Sequence, residues 1–523
     1  MTDADSVPAS EAVRAFTDGD PGTVVWHREH LRIADQPAVA RAADDDRLLA
    51  LFVFDPSFYG DRGMACDSRI DFLHDCLHDL DGQYRDVGGD GLTYAHGDPI
   101  EVLERFRAAG WDVLAARSPT GRYGLRRDER AREAGVEFVT GDGLVRDREH
   151  TRENWNDEVN SWLTDAQYDW DPASVRLDRL DTGVDPETVA DEYELRPTKE
   201  RVPDGGTRAA RDQLAEFLGR IGSYPSNISS PTDARDGTSG LSPYLRFGCL
   251  SVRQVYQTVV REVPESRSRE MFVSRLFWNL HYRQKLADWP GWLDEAVNPE
   301  LRGFNADEHD PELVAAWKKG RTGFPMVDAS MRCLRETGWL NFRMRALGVS
   351  AYYHLLQQPW WIGADYYHEH LIDSVAAINY TQWQYQCGLV GKPTLRLYNP
   401  IKQVRDQDPD GEFIRRWVPE LAGLPDEHLP RPEKTPLSVQ SECGVRIGED
   451  YPRPVVEYEA AKERFWERYD AVKPRAAAAL ADETVADRAS LSGGRAAARA
   501  IADEYGEPGE PDAGSQATLG GFE

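Results

Sequence analysis

The sequence has few cysteines and no pair of them spaced closely enough to bind a metal together. Zinc and iron–sulfur sites usually draw on closely spaced ligands such as a CxxC pair. The six cysteines stand far apart and form no CxxC pair, at Cys66, Cys76, Cys249, Cys333, Cys387 and Cys443. We therefore expect buried free thiols and no metal site.

Long apolar runs are also missing. No run approaches the roughly 18 residues that a membrane-crossing helix needs. The first residues, MTDADSVPASEAV, lack the basic stretch followed by an apolar block that marks a secretory signal. These two absences predict a protein without a membrane span that stays in the cytoplasm.

The sequence also has no excess of basic residues. The net charge is −28, which is unusual for a chain that contacts nucleic-acid phosphates. Residues 239–400 hold 18 Lys/Arg against 16 Asp/Glu, a balance of +2, so the rest of the chain carries −30. We interpret the acidity as halophilic adaptation to a salt-rich cytoplasm and the neutral segment as the working surface. Chance variation in local charge is the alternative.

The chain is long enough for two domains, since it has 523 residues. In residues 22–150, short apolar runs alternate with helical patterns, which predicts a doubly wound α/β domain with a parallel sheet. No GxGxxG follows its first strand, so this sheet is no evident dinucleotide site. We expect an acidic connector over 151–205, a larger all-α domain over 206–478, and a flexible tail rich in acidic residues and Ala over 479–523.

The stretch from Trp317 to Pro400 is unusually aromatic. In it, Asn379 lies four residues before Trp383, so on a helix the amide and the indole share a face. An amide beside a large aromatic surface suits a flat, hydrogen-bonding ligand.

Several long motifs in this chain resemble those of the DNA photolyase/cryptochrome family. They are VVWHREHLRIADQPAV (24–39), TSGLSPYLRFGCLS (238–251), WKKGRTGFPMVDASMRCLRETGW (317–339) and LIDSVAAINYTQWQ (371–384). The resemblance runs from about residue 22 to about residue 475. It implies an antenna domain followed by an all-α FAD-binding domain, FAD as the cofactor, and a second light-harvesting chromophore of folate or deazaflavin type.

The resemblance also implies a set of flavin-binding residues. Ser/Thr hydroxyls and backbone N–H groups at a helix start would hold the phosphates, although an ordinary helix cap would explain this segment by itself. Arg345 and Asp373 match a salt bridge over the flavin, and Asn379 matches the residue beside flavin N5; a plain helix cap is the alternative for Asn379. Relatives commonly have a second acidic residue two positions after the first, and Val375 occupies that position here. The implied phosphate-side residues are Tyr224, Thr238, Ser239, Gly240, Leu241 and Ser242.

Two tryptophans match the family's electron relay. Trp383 and Trp360 align with its first two members, whereas the third position is Asp307. Tyr385, Trp361 or another surface aromatic would have to complete the path. Ordinary packing of aromatic side chains is the alternative.

The family's substrate side is matched only in part. Trp278 matches a residue that stacks on the damaged bases, and Tyr385 supplies a second aromatic face. Arg343, Arg396 and Gln403 match DNA-contacting positions, while Arg275 and Phe342 replace the polar residues that relatives use on pyrimidines. The resemblance therefore implies light-driven repair of cyclobutane pyrimidine dimers in DNA by a monomeric lyase, with a cryptochrome-like blue-light receptor as the alternative. No nicotinamide site supports dark redox chemistry.

The chain ends in QATLGGFE. Gln516, Leu519 and Phe522 fit the pattern of peptides that dock on the replication sliding clamp, where apolar groups fill one pocket and the amide binds beside it. An incidental tail is the alternative.

Overall fold

The N-terminal part of the protein is built on a parallel sheet. The computed structural model describes residues 7–60, 63–144 and 152–506. The sheet has six strands in the order β3-β2-β1-β4-β5, and the sixth strand pairs with β2. All pairs are parallel. The strands are β1 (Thr23–His27), β2 (Arg47–Phe54), β3 (Thr93–His96), β4 (Asp112–Ala116), β5 (Glu137–Val139) and β6 (Arg176–Asp178).

Helices cover both faces of this sheet, which is why its central strands are continuous apolar runs. Along β2, Leu48, Ala50 and Phe52 belong to one hydrophobic core, whereas Leu49 and Leu51 belong to another on the opposite face. This alternation follows from the two-residue period of a strand. The helices of this part are α1 (Ser10–Thr17), α2 (Pro37–Ala42), α3 (Pro56–Tyr59), α4 (Asp67–Asp86), α5 (Pro99–Ala108), α6 (Arg122–Glu133), α7 (Trp155–Thr164) and α8 (Pro186–Glu192).

The rest of the described chain is helical, so the predicted fold class is confirmed. A large core runs through this domain and centres on buried tryptophans and tyrosines. Its helices are α9 (Thr207–Arg220), α10 (Tyr224–Asn227), α11 (Ala234–Gly237), α12 (Ser242–Phe247), α13 (Val252–Glu262), α14 (Arg267–Asp288), α15 (Pro311–Lys319), α16 (Pro325–Thr337), α17 (Phe342–Ser350), α18 (Trp360–His370), α19 (Ala376–Cys387), α20 (Pro400–Gln407), α21 (Glu412–Trp417), α22 (Leu437–Cys443), α23 (Tyr458–Ala479), α24 (Glu483–Ala489) and α25 (Gly494–Tyr505).

The segment 151–205, expected to be an inter-domain connector, also supplies β6 to the sheet, where Leu177 pairs with Leu48. The prediction for the tail needs correction. The segment from 479, expected to be flexible, forms α24 and α25 as far as Tyr505. Its many alanines favour helix, and Ala489 and Ala498 are fully buried in the core of the helical domain. Alanine content therefore marks packing here rather than disorder.

Among the described residues, no helix is both long enough and apolar enough to span a bilayer.

Candidate flavin site

A loop before α12 has the form of an anion cradle. Side chains of α9 hold its carbonyls: Arg220 Nη1 donates to Thr238 O and Gln213 Nε2 donates to Ser239 O, both at 2.9 Å. Gly240 has a φ of +65°, and a Cβ there would lie 2.9 Å from Gln213 Nε2. The carbonyls are thus engaged on the α9 side, which leaves the peptide N–H groups of Ser239 and Gly240 available to an anion.

The remaining predicted phosphate-side residues are placed less favourably. Thr238 Oγ1 donates to Ala234 O at 2.7 Å, and Ser242, the first residue of α12, is exposed. Leu241 is buried. Tyr224 packs its buried ring against Phe217 and Phe272, and its hydroxyl forms a hydrogen bond with Arg275.

Asn341 connects residues 228–230, which precede the cradle in the chain, to α17. Its Oδ1 accepts from Met344 N as the N-cap of α17. Its Nδ2 donates to the carbonyls of residues 228, 229 and 230 at 3.2–3.4 Å. Arg343 adds a bond from Nη2 to Ser229 Oγ at 3.0 Å. Sequence reasoning missed Asn341, although an Asn before a helical pattern is a recognisable cap.

The predicted Arg345–Asp373 pair is present. Arg345 Nη2 donates to both carboxylate oxygens of Asp373, at 2.9 and 2.8 Å, and its Nε donates to Leu340 O at 2.9 Å. The carboxylate side chain is 6% exposed and the guanidinium side chain 25%. The carboxylate is therefore buried while the guanidinium is partly open to solvent. The pair joins α17 to the segment before α19.

Asn379 and Trp383 lie on α19 as the spacing predicts. Asn379 Nδ2 donates to Ala364 O on α18 at 2.9 Å. Trp383 is buried among Trp317, Tyr352 and Tyr367, with ring centroids 5.2–6.1 Å apart. Its Nε1 has no hydrogen-bond partner within the described residues. A buried indole N–H without a partner is costly in a filled core.

These features fit a flavin nucleotide. The cradle at Ser239 and Gly240 suits its phosphates, and the bidentate pair and the amide suit a flat ring with donors and acceptors at its edge. The buried Nε of Arg343 also lacks a partner among the described residues. Arg343 Nε and Trp383 Nε1 are thus two buried donors that a bound ligand could satisfy.

The predicted relay residues differ in their surroundings. Trp360 is buried and meets Trp361 edge-on, with centroids 6.3 Å apart. Tyr385 lies instead against Trp292, with centroids 6.3 Å apart, and its hydroxyl accepts from Lys285 Nζ at 2.9 Å. Asp307, at the third relay position, carries no aromatic ring.

The predicted DNA-facing residues fall into two groups. Trp278 is 40% exposed and stacks on Tyr282 at 5.8 Å, and Phe342 is 56% exposed. Arg275 and Arg396 are exposed, and Arg343 is partly so. Gln403, however, is buried on α20 and has an unpartnered Oε1 among the described residues, so the structure does not bring it to the surface with the others.

A second cavity lies at the carboxyl ends of the strands, between the sheet and helices α18 and α19. It measures about 230 Å³ and is lined by aromatic rings such as Tyr59 and Tyr123. Six arginines also line it: Arg28, Arg69, Arg122, Arg126, Arg127 and Arg246. Ligands of doubly wound folds bind at this edge. Four of the arginines, Arg28, Arg122, Arg127 and Arg246, are paired with carboxylates.

One carboxylate in this cavity links the two domains. Glu29 accepts from Ser118 Oγ at 2.6 Å and from Arg246 on α12. Burial by itself raises its pKa, but Arg246 and Arg283 lower the pKa to about 2. His368, which lines the same cavity, has its pKa lowered well below the usual value by burial and then by Arg69. Glu29 is therefore ionised and His368 neutral at pH 7.

Sequence reasoning also missed Arg122. It reaches from α6 to Asp294 at 2.5 Å, to Asp365 at 2.9 Å and to Tyr380 Oη at 3.1 Å. This single side chain joins the α/β domain to α18 and α19. No local sequence pattern predicts these contacts, because the partners of Arg122 lie more than 170 residues away in the chain.

The clamp-like peptide at Gln516, Leu519 and Phe522 lies outside the described residues, and its function stays a prediction. All six cysteines are free, as expected, and within the described residues no cluster of metal ligands occurs.

Comparison with known proteins gives consistent matches. Residues 23–154 match the family model described as DNA photolyase, and residues 272–471 match the FAD binding domain of DNA photolyase. The chain is 30% identical to a deoxyribodipyrimidine photo-lyase of Halobacterium salinarum, over 84% of this chain and 96% of that protein. It is also 30% identical to Cryptochrome-1 of Sinapis alba, over 84% and 94%. An archaeal photolyase from Sulfolobus tokodaii, solved with two FAD molecules, has the same fold, with a TM-score of 0.73 at 24% identity over 86% of this chain and all of that chain.

Proposed function

Because the chain belongs to the DNA photolyase/cryptochrome family, we propose that it is a light-driven lyase that repairs cyclobutane pyrimidine dimers in DNA. The observation that carries this proposal is the exposed indole of Trp278. The ring is 40% exposed, and an exposed flat aromatic ring is the kind of surface on which an unpaired base stacks. Here it stacks on Tyr282, whose hydroxyl bonds to Gln382 of α19, the helix that carries Asn379.

FAD, when bound, supplies light-driven one-electron chemistry. The chain's own residues hold it: the N–H groups of Ser239 and Gly240 bind phosphate, and the Arg345–Asp373 pair fixes the ring. The amide of Asn379 offers a donor or an acceptor at the ring edge, since its side chain carries both. The buried surroundings of Trp383 exclude water from this side of the site.

The damaged bases have to leave the duplex to reach such a site. Enzymes that act on bases flip them into a pocket and stack them on aromatic side chains. Trp278 provides the stacking surface, while Arg275, Arg343 and Arg396 provide cations for phosphate contacts. These residues all lie within the nearly neutral segment 239–400 of an otherwise acidic chain.

We assign the arginine-lined cavity to a second, light-harvesting chromophore of anionic character. Its aromatic walls suit a conjugated ring, and its six arginines suit carboxylates or phosphates. Folates and deazaflavins both carry such groups.

The acidic composition supports a salt-rich cytoplasm as the working environment. We propose a monomer there, with the C-terminal peptide as a docking point for the sliding clamp. Pull-down of purified clamp by the chain with and without residues 516–523 tests the last point, and equal binding by both refutes it.

A repair assay tests the main proposal. The purified protein, loaded with FAD and chemically reduced, is illuminated with DNA that contains thymine dimers, and dimers are counted against a dark control. We expect dimers to disappear only in the light, and Trp278→Ala to slow repair at low DNA concentration without loss of flavin. An unchanged dimer count with flavin bound would overturn the proposal.

A blue-light receptor is the second candidate function. Phe342 and Arg275 stand where relatives have polar groups for the pyrimidines, and the 56% exposed phenyl ring of Phe342 offers no hydrogen bond to a base. This function predicts light-driven reduction of bound flavin with no dimer loss in the assay above.

A further inference from the structure

We infer that Trp361 is the terminal electron donor of this chain's aromatic relay. The inference rests on the proposed flavin site and adds the residue at which electrons enter from solution. The third family position is Asp307, which has no ring, so the route to the surface has to be read from the packing of this molecule.

The first part of the route crosses the contact between α18 and α19. A Cβ on Gly363 of α18 would lie 2.3 Å from Trp383 Cη2, so the two helices meet at Trp383 without a spacer. Trp360 lies three residues before Gly363, on the same face of α18. Its ring meets the edge of Tyr380, one turn before Trp383 on α19, at 6.5 Å. Trp360 and Trp383 therefore both face the contact between α18 and α19, on either side of Gly363 and Tyr380.

The second part leads outward along α18. Trp361 is partly exposed, and its ring lies 6.3 Å from that of Trp360 at an angle of 85°. Electron transfer between rings weakens steeply with distance, and adjacent rings at such separations exchange electrons readily. Trp361 thus connects the buried pair to solvent.

Two other aromatic routes lie nearby. One runs from Tyr385 through Trp292 to Trp289, with centroids 6.3 and 6.0 Å apart. The other runs from Trp383 through Trp317 to Tyr366, at 6.1 and 5.6 Å. The second of these routes begins at a ring that contacts Trp383 directly, so distance does not favour the route that ends at Trp361.

Charge does separate them. Lys285 Nζ lies 4.3 Å from the Tyr385 ring and 5.1 Å from the Trp292 ring. Arg488 lies 4.9 Å over Trp289, and Lys318 lies 5.1 Å over Tyr366. A cation over a neutral ring is attractive, but it repels the positive charge that the ring acquires when it loses an electron.

The rings of Trp360 and Trp361 have no such neighbour. Within the described part of the chain, neither carries a lysine or arginine over its face, in contrast to both competing routes. An electron vacancy on Trp383 therefore moves to Trp360 and then to Trp361.

One electron leaves Trp361 and reaches Trp383 through Trp360; bound oxidised flavin would supply the one-electron acceptor. A water-soluble thiol gives one electron to the Trp361 radical and one proton to water, and two of the resulting thiyl radicals join as a disulfide.

Flash photolysis of the FAD-loaded protein tests this assignment. The readouts are the lifetime and the optical and paramagnetic spectra of the aromatic radical, recorded for wild type, Trp361→Phe and Trp361→Tyr. We expect the long-lived indole radical of wild type to be lost in Trp361→Phe, because the vacancy stays buried and recombines. In Trp361→Tyr a tyrosyl spectrum should replace it, which a merely structural role for residue 361 would not produce. Trp289→Phe is the matched control and should behave as wild type.

An unchanged radical lifetime in Trp361→Phe overturns the inference, as does loss of the radical in Trp289→Phe. Equal flavin content and circular dichroism in all variants show that folding is intact. A protein that binds no flavin refutes the proposed function, whereas one that binds flavin but shows the wrong radical refutes only the role of Trp361.

Discussion

Glu29 should make the stability of the protein depend on pH in a defined window. Its pKa is about 2 in the folded chain, against an ordinary value of 4.5. Since the folded pKa is depressed, the stabilisation is fully present above pH 4.5 and is lost as pH falls towards 2. The difference corresponds to about 3 kcal/mol, of which about 2 kcal/mol is lost by pH 3. The Glu29 side chain is 17% exposed, so solvent screening reduces these figures only moderately.

Urea unfolding at fixed ionic strength measures this effect. Wild type and Glu29→Gln are compared at pH 7, 5, 4 and 3, and the gap in unfolding free energy should shrink by about 2 kcal/mol between pH 5 and pH 3. Glu265→Gln is the control: that side chain is 88% exposed in a surface pair with Arg269, and such pairs contribute little. A gap for Glu29→Gln that stays constant over this range would refute the reasoning.

Three further predictions concern the relay, the cradle and the C-terminal helices. Lys285→Met combined with Arg488→Met in the Trp361→Phe background should restore a long-lived indole radical in flash photolysis, because each cation about 5 Å from a ring of this route disfavours the vacancy by roughly 3 kcal/mol at an effective dielectric constant near 20; continued absence of the radical would show that these two cations do not block the Tyr385 route. Asn341→Ala removes a helix cap and three bonds to the carbonyls of residues 228–230, so the unfolding free energy should fall by about 1–2 kcal/mol and FAD affinity should fall with it; an unchanged flavin titration would show that these bonds do not support flavin binding. Truncation after residue 481 removes Ala489 O, which accepts from Lys285 Nζ at 2.9 Å, so amide exchange should rise in 285–292 relative to the distant strand β2; equal exchange would show that α24 and α25 do not cover this region.

The fold could be predicted because its determinants are local. Apolar runs in β1 and β2, the cap and glycine positions and the long motifs each constrain a few neighbouring residues. Asn379 and Trp383 share a helix for the same reason, and Arg345 meets Asp373 as the resemblance implied.

What could not be predicted depends on long-range packing. The partners of Arg122 and the contact between Lys285 and Ala489 join residues about 170 to 260 positions apart, and no periodicity encodes such pairs. The C-terminal helices were misjudged for a related reason. Their composition, rich in small and charged residues, is similar to that of disordered segments. The same small residues, however, let α25 pack closely on α23. Gln403 was predicted to face DNA because of its position in a motif, but its side chain is buried. A motif position alone does not show burial.

The central claim is that the cleft between the Ser239–Gly240 cradle, the Arg345–Asp373 pair and Asn379 binds FAD. Titration of FAD into the flavin-free protein, followed by flavin fluorescence quenching, measures this directly. We predict saturable binding in wild type, much weaker binding in Asp373→Ala with unchanged circular dichroism, and wild-type binding in the surface variant Glu265→Gln. A colourless protein that takes up no flavin, or equal binding by Asp373→Ala and wild type, would contradict the account.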